Sequence, residues 1–324
     1  MILITGGAGY IGSHCAIKFM QEGTDVVLTD NFSTSDPQTI EALKEIGKFK
    51  FEECNLLEES ELKDLIGCYD IECIIHCADL NMPNESLVQP ATYYQNNILS
   101  TLNLLNCMVE NKIKYLIFSS TTEVYGKPVY YPIDEIHPQL PETPYGRTKV
   151  FCEKILEDYD HAYGIKSIKL RYNHAVSGYN QQLLEKELIQ EEVYKGNFLK
   201  SALYNYCDPE LSEYIDIVDV TNAYFMAYKS LMANKLSNVF NLAPETRKSK
   251  HDLLEKLQYF FSKANLKSDK NSTNILSKSK VNIRKAKQIL GWQPMVDMDE
   301  SINNTIQQEK MFEKAFMENS ILSN

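Results

Sequence analysis

The chain runs from the apolar stretch Ile2–Thr5 straight into Gly6-Gly7-Ala8-Gly9-Tyr10-Ile11-Gly12, and a helical pattern follows at once. Glycines at this spacing relieve three crowding problems. Gly6 permits a tight turn, Gly9 lets the backbone approach a pyrophosphate, and Gly12 lets the helix pack close against the strand. The amides that open such a helix face an anion. Asp30 closes the second apolar run, 18 residues beyond Gly12. A carboxylate there accepts hydrogen bonds from a ribose 2′-hydroxyl and repels a 2′-phosphate, so the cofactor indicated is NAD rather than NADP.

Apolar runs recur at Ile2–Thr5, 25–29, Lys50–Glu53, Cys73–His76, 115–119 and 167–171, alternating with helical patterns at 11–22, 90–111 and 145–163. This alternation predicts an α/β fold, a doubly wound parallel sheet of Rossmann type, with a smaller C-terminal α/β substrate-binding region. In the second helix Tyr94, Ile98, Leu102 and Leu105 mark the expected buried face. The division expected is 1–172 for the NAD-binding domain and 173–324 mainly for substrate. Segments near 213–245 return to the sheet, including a helix at 219–232 and a late strand at 238–242.

The formal charge of −11, from 44 acidic and 33 basic residues, disfavours nucleic acid or an anionic membrane as partner, since both are held by basic surface. The one basic stretch, 262–287, with Lys263, Lys267, Lys270, Lys278, Lys280, Arg284, Lys285 and Lys287, reads as a solvated loop feeding a helix. The eight cysteines lack the paired spacing of a zinc site and read as reduced thiols, so no metal is expected. With no apolar run of membrane-spanning length and no leader pattern ahead of Ile2, a cytoplasmic location is expected.

Tyr145-Gly146-Arg147-Thr148-Lys149 opens the third helix, and its i, i+4 spacing sets the Tyr145 and Lys149 side chains on one face. A neighbouring ammonium, together with a positive nicotinamide ring, lowers a phenol's pKa from about 10 and suits it to act as a base on a hydroxyl. The apolar run at 115–119 ends in Ser120, Thr121, Thr122 and Glu123. Ligands of open α/β sheets bind beyond such strand ends, which places the Thr121 hydroxyl between substrate and Tyr145.

Together these residues resemble the extended short-chain dehydrogenase/reductase family, in its NAD-dependent epimerase/dehydratase branch. The resemblance rests on Ile4-Thr5-Gly6-Gly7-Ala8-Gly9-Tyr10-Ile11-Gly12-Ser13-His14, Asp30-Asn31, Glu85-Ser86, Tyr93-Tyr94-Gln95-Asn96-Asn97, Phe118-Ser119-Ser120, Val124-Tyr125-Gly126 and Pro144-Tyr145-Gly146-Arg147-Thr148-Lys149. Farther on, Glu213-Tyr214-Ile215-Asp216-Ile217-Val218-Asp219 and Leu290-Gly291-Trp292-Gln293-Pro294 resemble later family segments. The resemblance implies inversion at carbon 4 of a nucleotide sugar of the UDP-glucose/UDP-galactose type through a transient 4-keto sugar. Tyr145, Lys149 and Thr121 would be catalytic, and NAD would stay bound.

By the same resemblance Gly6, Gly9, Tyr10, Ile11 and Gly12 line the pyrophosphate, and Asp30 and Asn31 serve the adenosine ribose. Asn55 and Leu56 serve the adenine; Cys77, Ala78, Asp79, Asn96, Ser119, Tyr145, Lys149 and Tyr172 serve the middle and nicotinamide end. Asn81, Thr121, Glu123, Tyr145 and His174 fall on the substrate side. A homodimer through the helices at 90–111 and 145–163 is also implied.

Departures from the family pattern gather on the substrate side. Asn55 stands for an aspartate, Asn81 for a lysine, Asn173-His174-Ala175 for Phe-Asn-Pro, and Ser212 for an arginine. A second arginine is absent, leaving Lys278, Lys280 and Arg284 as candidate replacements for a diphosphate clamp. Thr121-Thr122-Glu123 also resembles the Thr-x-Glu of dehydratases and decarboxylases. A dehydratase, decarboxylase or reductase of the same family, or a catalytically idle NAD-binding protein, is therefore the alternative to an epimerase.

Overall fold

The computed structural model describes residues 1–176, 213–247, 277–278, 280–297 and 299–301. Cys207, Ser212, Lys263, Lys267, Lys270 and the substrate segment 177–212 lie outside the described residues.

The chain builds β1 (Ile2–Thr5), α1 (Tyr10–Gln21), β2 (Val26–Asp30), α2 (Gln38–Lys44), β3 (Lys50–Glu53), α3 (Glu59–Gly67) and β4 (Cys73–His76). There follow α4 (Pro83–Val88), α5 (Pro90–Tyr94), a π-helical turn (Gln95–Leu99), α6 (Ser100–Glu110), β5 (Tyr115–Thr121), α7 (Pro144–Tyr163) and β6 (Lys166–Tyr172). After β7 (His174–Val176) come β8 (Tyr214–Asp216), α8 (Ile217–Asn234) and β9 (Asn238–Asn241).

Seven of these strands form one sheet in the order β3-β2-β1-β4-β5-β6-β9, every pair parallel. Two-sided burial explains why the central strands read as unbroken apolar runs rather than alternating ones. Ile2, Leu3 and Ile4 have no exposed surface, and each such side chain contributes roughly 1.5–3 kcal/mol on leaving water. Ile2 and Ile4 face one hydrophobic layer and Leu3 the other. The chain reverses its winding between β1 and β4, the switch point beyond whose strand ends ligands bind in such sheets.

β9 lies against β6, and α8 covers the same face as α1, where Phe19 meets Phe225 edge-on at 5.3 Å. The C-terminal Leu290-Gly291-Trp292 segment is tied to α8: Trp292 Nε1 donates to the Asp219 carbonyl at 2.9 Å, and the Asp219 carboxylate accepts from the Met295 and Val296 amides. Among the described residues no helix is long and apolar enough to cross a membrane.

The helix expected at 90–111 is interrupted. Its first turns end at Tyr94, the chain widens into a π turn, and only then does α6 begin. The buried face therefore differs from the expected Tyr94, Ile98, Leu102 and Leu105. Tyr93, Asn97, Thr101 and Leu104 are buried with Leu105, whereas Tyr94, Ile98 and Leu102 are only half-buried. The reason is polar: Asn97 and Thr101 turn inward because buried partners wait for them, as the site shows.

Candidate active site

A cleft of about 850 Å³ opens along the carboxyl ends of β1, β2, β4, β5 and β6. At one end is the glycine turn. Gly6 has φ +66°, and a Cβ there would stand 2.8 Å from the Ala78 amide nitrogen. A Cβ on Gly12 would stand 2.1 Å from the Gly6 carbonyl oxygen, so helix and loop touch only because no side chain intervenes. α1 starts at Gly9 with extended φ and ψ and no side-chain cap, so its leading amides remain for a ligand. These features fit a dinucleotide pyrophosphate.

Asp30, at the end of β2, is already engaged. Its carboxylate accepts from the Ala8 amide at 3.0 Å, the Phe32 amide at 2.9 Å and the Ser35 hydroxyl at 2.8 Å. It thus ties the glycine turn to the β2 terminus, and still lines the cleft. Asn31, Asn55 and Leu56 line the same end. The Asn55 amide oxygen accepts from the Leu57 amide at 3.2 Å, and Asn103 donates to the Leu56 and Leu57 carbonyls. This buttress was not signalled by the sequence, because Asn103 sits inside an otherwise apolar helix face.

At the other end the helix carrying the Tyr-x-x-x-Lys pattern is held in place by its start. Thr143 is the N-cap, its hydroxyl oxygen accepting from the Gly146 amide at 3.1 Å, and Pro144 occupies the first turn. The Tyr145 amide donates to Ser86 Oγ at 3.1 Å. The Tyr145 hydroxyl and Thr121 share a hydrogen bond, and Thr121 Oγ1 also accepts from the Glu123 amide at 3.2 Å. Lys149 is buried with its ammonium 5.9 Å from the Tyr145 ring centre and 4.7 Å from that of Phe118. The structure therefore brings Tyr145, Lys149 and Thr121 together.

It also adds a charge that spacing alone did not show. Lys149 Nζ donates to the Ser119 carbonyl at 2.6 Å and forms an ion pair with Asp79 at 2.6 Å. The lysine charge thus has a counter-ion, and in the protein alone the Tyr145 phenol is pushed well above its ordinary value. Burial is the main cause; the charge of Asp79, then Tyr172 and Glu123, adds to it, and the Thr121 hydrogen bond opposes it.

Asp79 is set by Asn97, whose side chain donates to the Leu80 carbonyl at 2.9 Å and accepts from the Leu80 amide at 2.8 Å. The same Asn97 donates to Thr148 Oγ1 at 3.1 Å, joining the β4 loop to α7. Thr101 receives His76 Nε2 at 3.1 Å, and Thr5 Oγ1 pairs with His76 Nδ1 at 2.8 Å. Burial pushes this imidazole down to about 3.

Ser119 Oγ, Tyr172 OH and Tyr224 OH form a buried hydroxyl chain with steps of 2.7 and 3.1 Å. Behind the end of β5, Glu153 accepts from Ser120 Oγ at 2.6 Å and from Arg171 at 2.9 and 2.5 Å. Those hydrogen bonds and the arginine charge outweigh desolvation and hold the Glu153 carboxyl below its usual range.

Cys77, Ala78, Asn81, Asn96, Glu123 and His174 all line the cleft. In the basic segment Lys280 lies over the Tyr131 ring at 5.1 Å, Lys285 over Phe240 at 5.4 Å, and Lys287 pairs with Glu245.

A doubly wound sheet with this cleft defines a dinucleotide-binding α/β enzyme. The model of the NAD dependent epimerase/dehydratase family matches residues 2–243, and the chain belongs to that family. It is 33% identical over 254 residues to the UDP-glucose 4-epimerase of Halalkalibacterium halodurans, covering 74% of each chain. To the UDP-glucose 4-epimerase of Rhizobium meliloti it is 30% identical over 324 residues, covering 92% of this chain and 93% of that one. Its fold matches the crystal structure of UDP-glucose 4-epimerase from Brucella ovis in complex with NAD, with a TM-score of 0.76 and 26% identity over 94% of this chain and 97% of the other.

Proposed function

We propose that this chain is an NAD-dependent isomerase that inverts carbon 4 of a nucleotide sugar of the UDP-glucose/UDP-galactose type by way of a transient 4-keto sugar. The observation that carries the reading is the placement of Tyr145, Thr121 and Lys149 at one end of the cleft whose other end is the glycine turn. NAD, when bound, supplies an acceptor for the C4 hydride that can also give it back.

The chain's own residues bind, orient and move a proton. The leading amides of α1 and the approach permitted by Gly6, Gly9 and Gly12 hold the pyrophosphate, with Tyr10 and Ile11 beside it. Asp30 and Asn31 hold the adenosine ribose, and Asn55 and Leu56 the adenine. Cys77, Ala78, Asp79, Asn96, Ser119 and Tyr172 line the nicotinamide end.

Tyr145 takes the C4 hydroxyl proton at its phenolic oxygen and returns it after the sugar has presented its other face. Thr121 fixes the direction of that phenol through their shared hydrogen bond. Two of the three Lys149 N–H donors are used by Asp79 and Ser119, which leaves one donor for the nicotinamide ribose. Asn81, Glu123 and His174 form the sugar side.

Incubating purified, NAD-loaded protein with UDP-glucose should yield UDP-galactose of identical mass, with no net change in NADH. No conversion of any UDP-, dTDP- or GDP-hexose under those conditions would overturn the proposal. Glu123 on the cleft wall beside Thr121 favours one second reading, elimination or decarboxylation of a 4-keto sugar, which the same assay identifies by a loss of mass.

Residues 1–172 serve the cofactor and 173–324 mainly the substrate, with β9 and α8 lent back to the first unit. Leu99 and Phe151 are exposed, and Tyr94 packs on Phe151 at 6.4 Å between ring centres. Such an apolar face across the π turn and α7 supports a homodimer built there, readable by light scattering. The seven described cysteines are all unpaired thiols, which supports a reducing, cytoplasmic setting.

A further inference from the structure

Asp79 lines the nicotinamide end and has no part yet in the proton transfer, but its side chain is only 10% exposed and its carboxylate touches the ammonium of Lys149. A carboxylate in such a position costs desolvation, which the Lys149 partner offsets. Its location is also tightly prescribed, since both backbone groups of the next residue, Leu80, are held by Asn97. On the far side Lys149 is confined by the Ser119 carbonyl and the Phe118 ring. The pair is therefore held by two independent sets of contacts, one on each partner.

We propose that Asp79 is a positioning residue that cancels the Lys149 charge beside Tyr145, so that the phenol becomes a competent base only when the positively charged ring of oxidised cofactor enters the cleft. The inference rests on the proposed role of Tyr145 and adds a control on when that role is available. An ammonium alone would favour the phenolate whether or not cofactor is present. An ammonium matched by a carboxylate leaves the phenol protonated in the empty cleft and reserves the remaining positive charge for the cofactor to supply.

The other groups around the phenol do not replace this effect. Thr121 from β5 donates a neutral hydrogen bond, while Glu123 after β5 and Tyr172 from β6 both oppose ionisation, as Asp79 does. His76 from β4 is neutral beside Lys149. Near α4 and α5, Tyr93 OH donates to Glu85 at 2.9 Å, so that carboxylate is already partnered. Lys149 is thus the cation on Tyr145's own helix face, and Asp79 is its carboxylate counter-ion.

The test reads the phenol without turnover. A ring-fluorinated tyrosine, which ionises at lower pH than tyrosine, is placed at position 145 of the full chain and followed by fluorine NMR across pH, with and without NAD. In the parent, NAD should lower the midpoint. In Asp79→Asn without NAD the midpoint should already fall by about 1–3 pH units, the range for a charge a few ångströms away. Asp79→Ser, smaller and equally neutral, should do the same, and Asp79→Glu should stay near the parent.

A midpoint that does not fall in either neutral variant overturns the inference; so does failure of that probe to titrate before either neutral variant unfolds, or an equal fall in Asp79→Glu. Because no substrate is involved, the expected shift in a protein that epimerises nothing would sink the epimerase reading alone. An active epimerase without the shift would sink only the role of Asp79.

Discussion

Replacing Gly12 with alanine adds one methyl group at the tightest point of the cofactor turn. The new Cβ would stand 2.1 Å from the Gly6 carbonyl oxygen, 2.8 Å from its carbonyl carbon and 3.0 Å from the Gly7 Cα. All three are backbone atoms, so no side chain can rotate away. Restoring ordinary contact requires α1 and the turn to separate by roughly 1.5–2 Å, judged against normal non-bonded distances of about 3.5–4 Å. Overpacking of this kind costs about 1–3 kcal/mol. Gly6 cannot move freely, because its own position is bounded by the Ala78 backbone.

The displacement therefore falls on the amides that hold the pyrophosphate. At 1.4 kcal/mol per tenfold, NAD affinity should drop by about 5- to 150-fold. Calorimetric titration of the purified variant with NAD measures this, and thermal unfolding without NAD separates lost binding from lost fold. A variant that binds NAD within about threefold of the parent would refute the reasoning, since even about 1 kcal/mol corresponds to about fivefold.

Tyr145→Phe keeps the ring and removes the proton carrier, so turnover should fall by about 10²–10⁴-fold while NAD binding is kept. Glu153→Gln leaves the buried Arg171 guanidinium without its counter-charge and should destabilise the fold by about 3–5 kcal/mol in denaturant unfolding, with little change in the isolated cofactor turn. His14 and His76 are buried, and desolvation lowers them from 6.5 to about 4 and about 3 respectively. Between those values and 6.5 the unfolded chain binds the extra protons, so stability should fall as pH drops through that window, by up to about 1.4 kcal/mol per pH unit for each imidazole. A melting temperature flat from pH 6.5 to 4 would contradict this.

The parallel sheet was legible because strands buried on both faces must be apolar throughout, and Ile2–Thr5 and Cys73–His76 are nearly so. The glycine turn was legible because its crowding is local, and Tyr145 with Lys149 because four residues make one helical turn. What escaped the sequence lies in contacts between distant segments. Asp79 reads as a cofactor-lining residue, and its pairing with Lys149 shows only in the fold, as Asn97 reads as one polar position among several until Leu80 and Thr148 close on it. Spacing reveals the cation beside the Tyr145 phenol but not its counter-ion. The interruption of the helix at Tyr94 likewise has no apolar signature, since the residues that turn inward are an asparagine and a threonine.

That interruption makes the segment from Pro90 to Glu110 unusually sensitive to length. The wide turn Gln95–Leu99 acts as a phase adapter between two helices that must each address a different surface. Upstream, Tyr93 reaches across to Glu85 and the Met82 amide; downstream, Leu104, Leu105 and Met108 enter the core. Removing a single residue would rotate one half against the other by about 100° and send the core residues toward solvent. Insertions or deletions in this segment should therefore be tolerated far worse than single substitutions, so related chains that keep this site should hardly vary here in residue number.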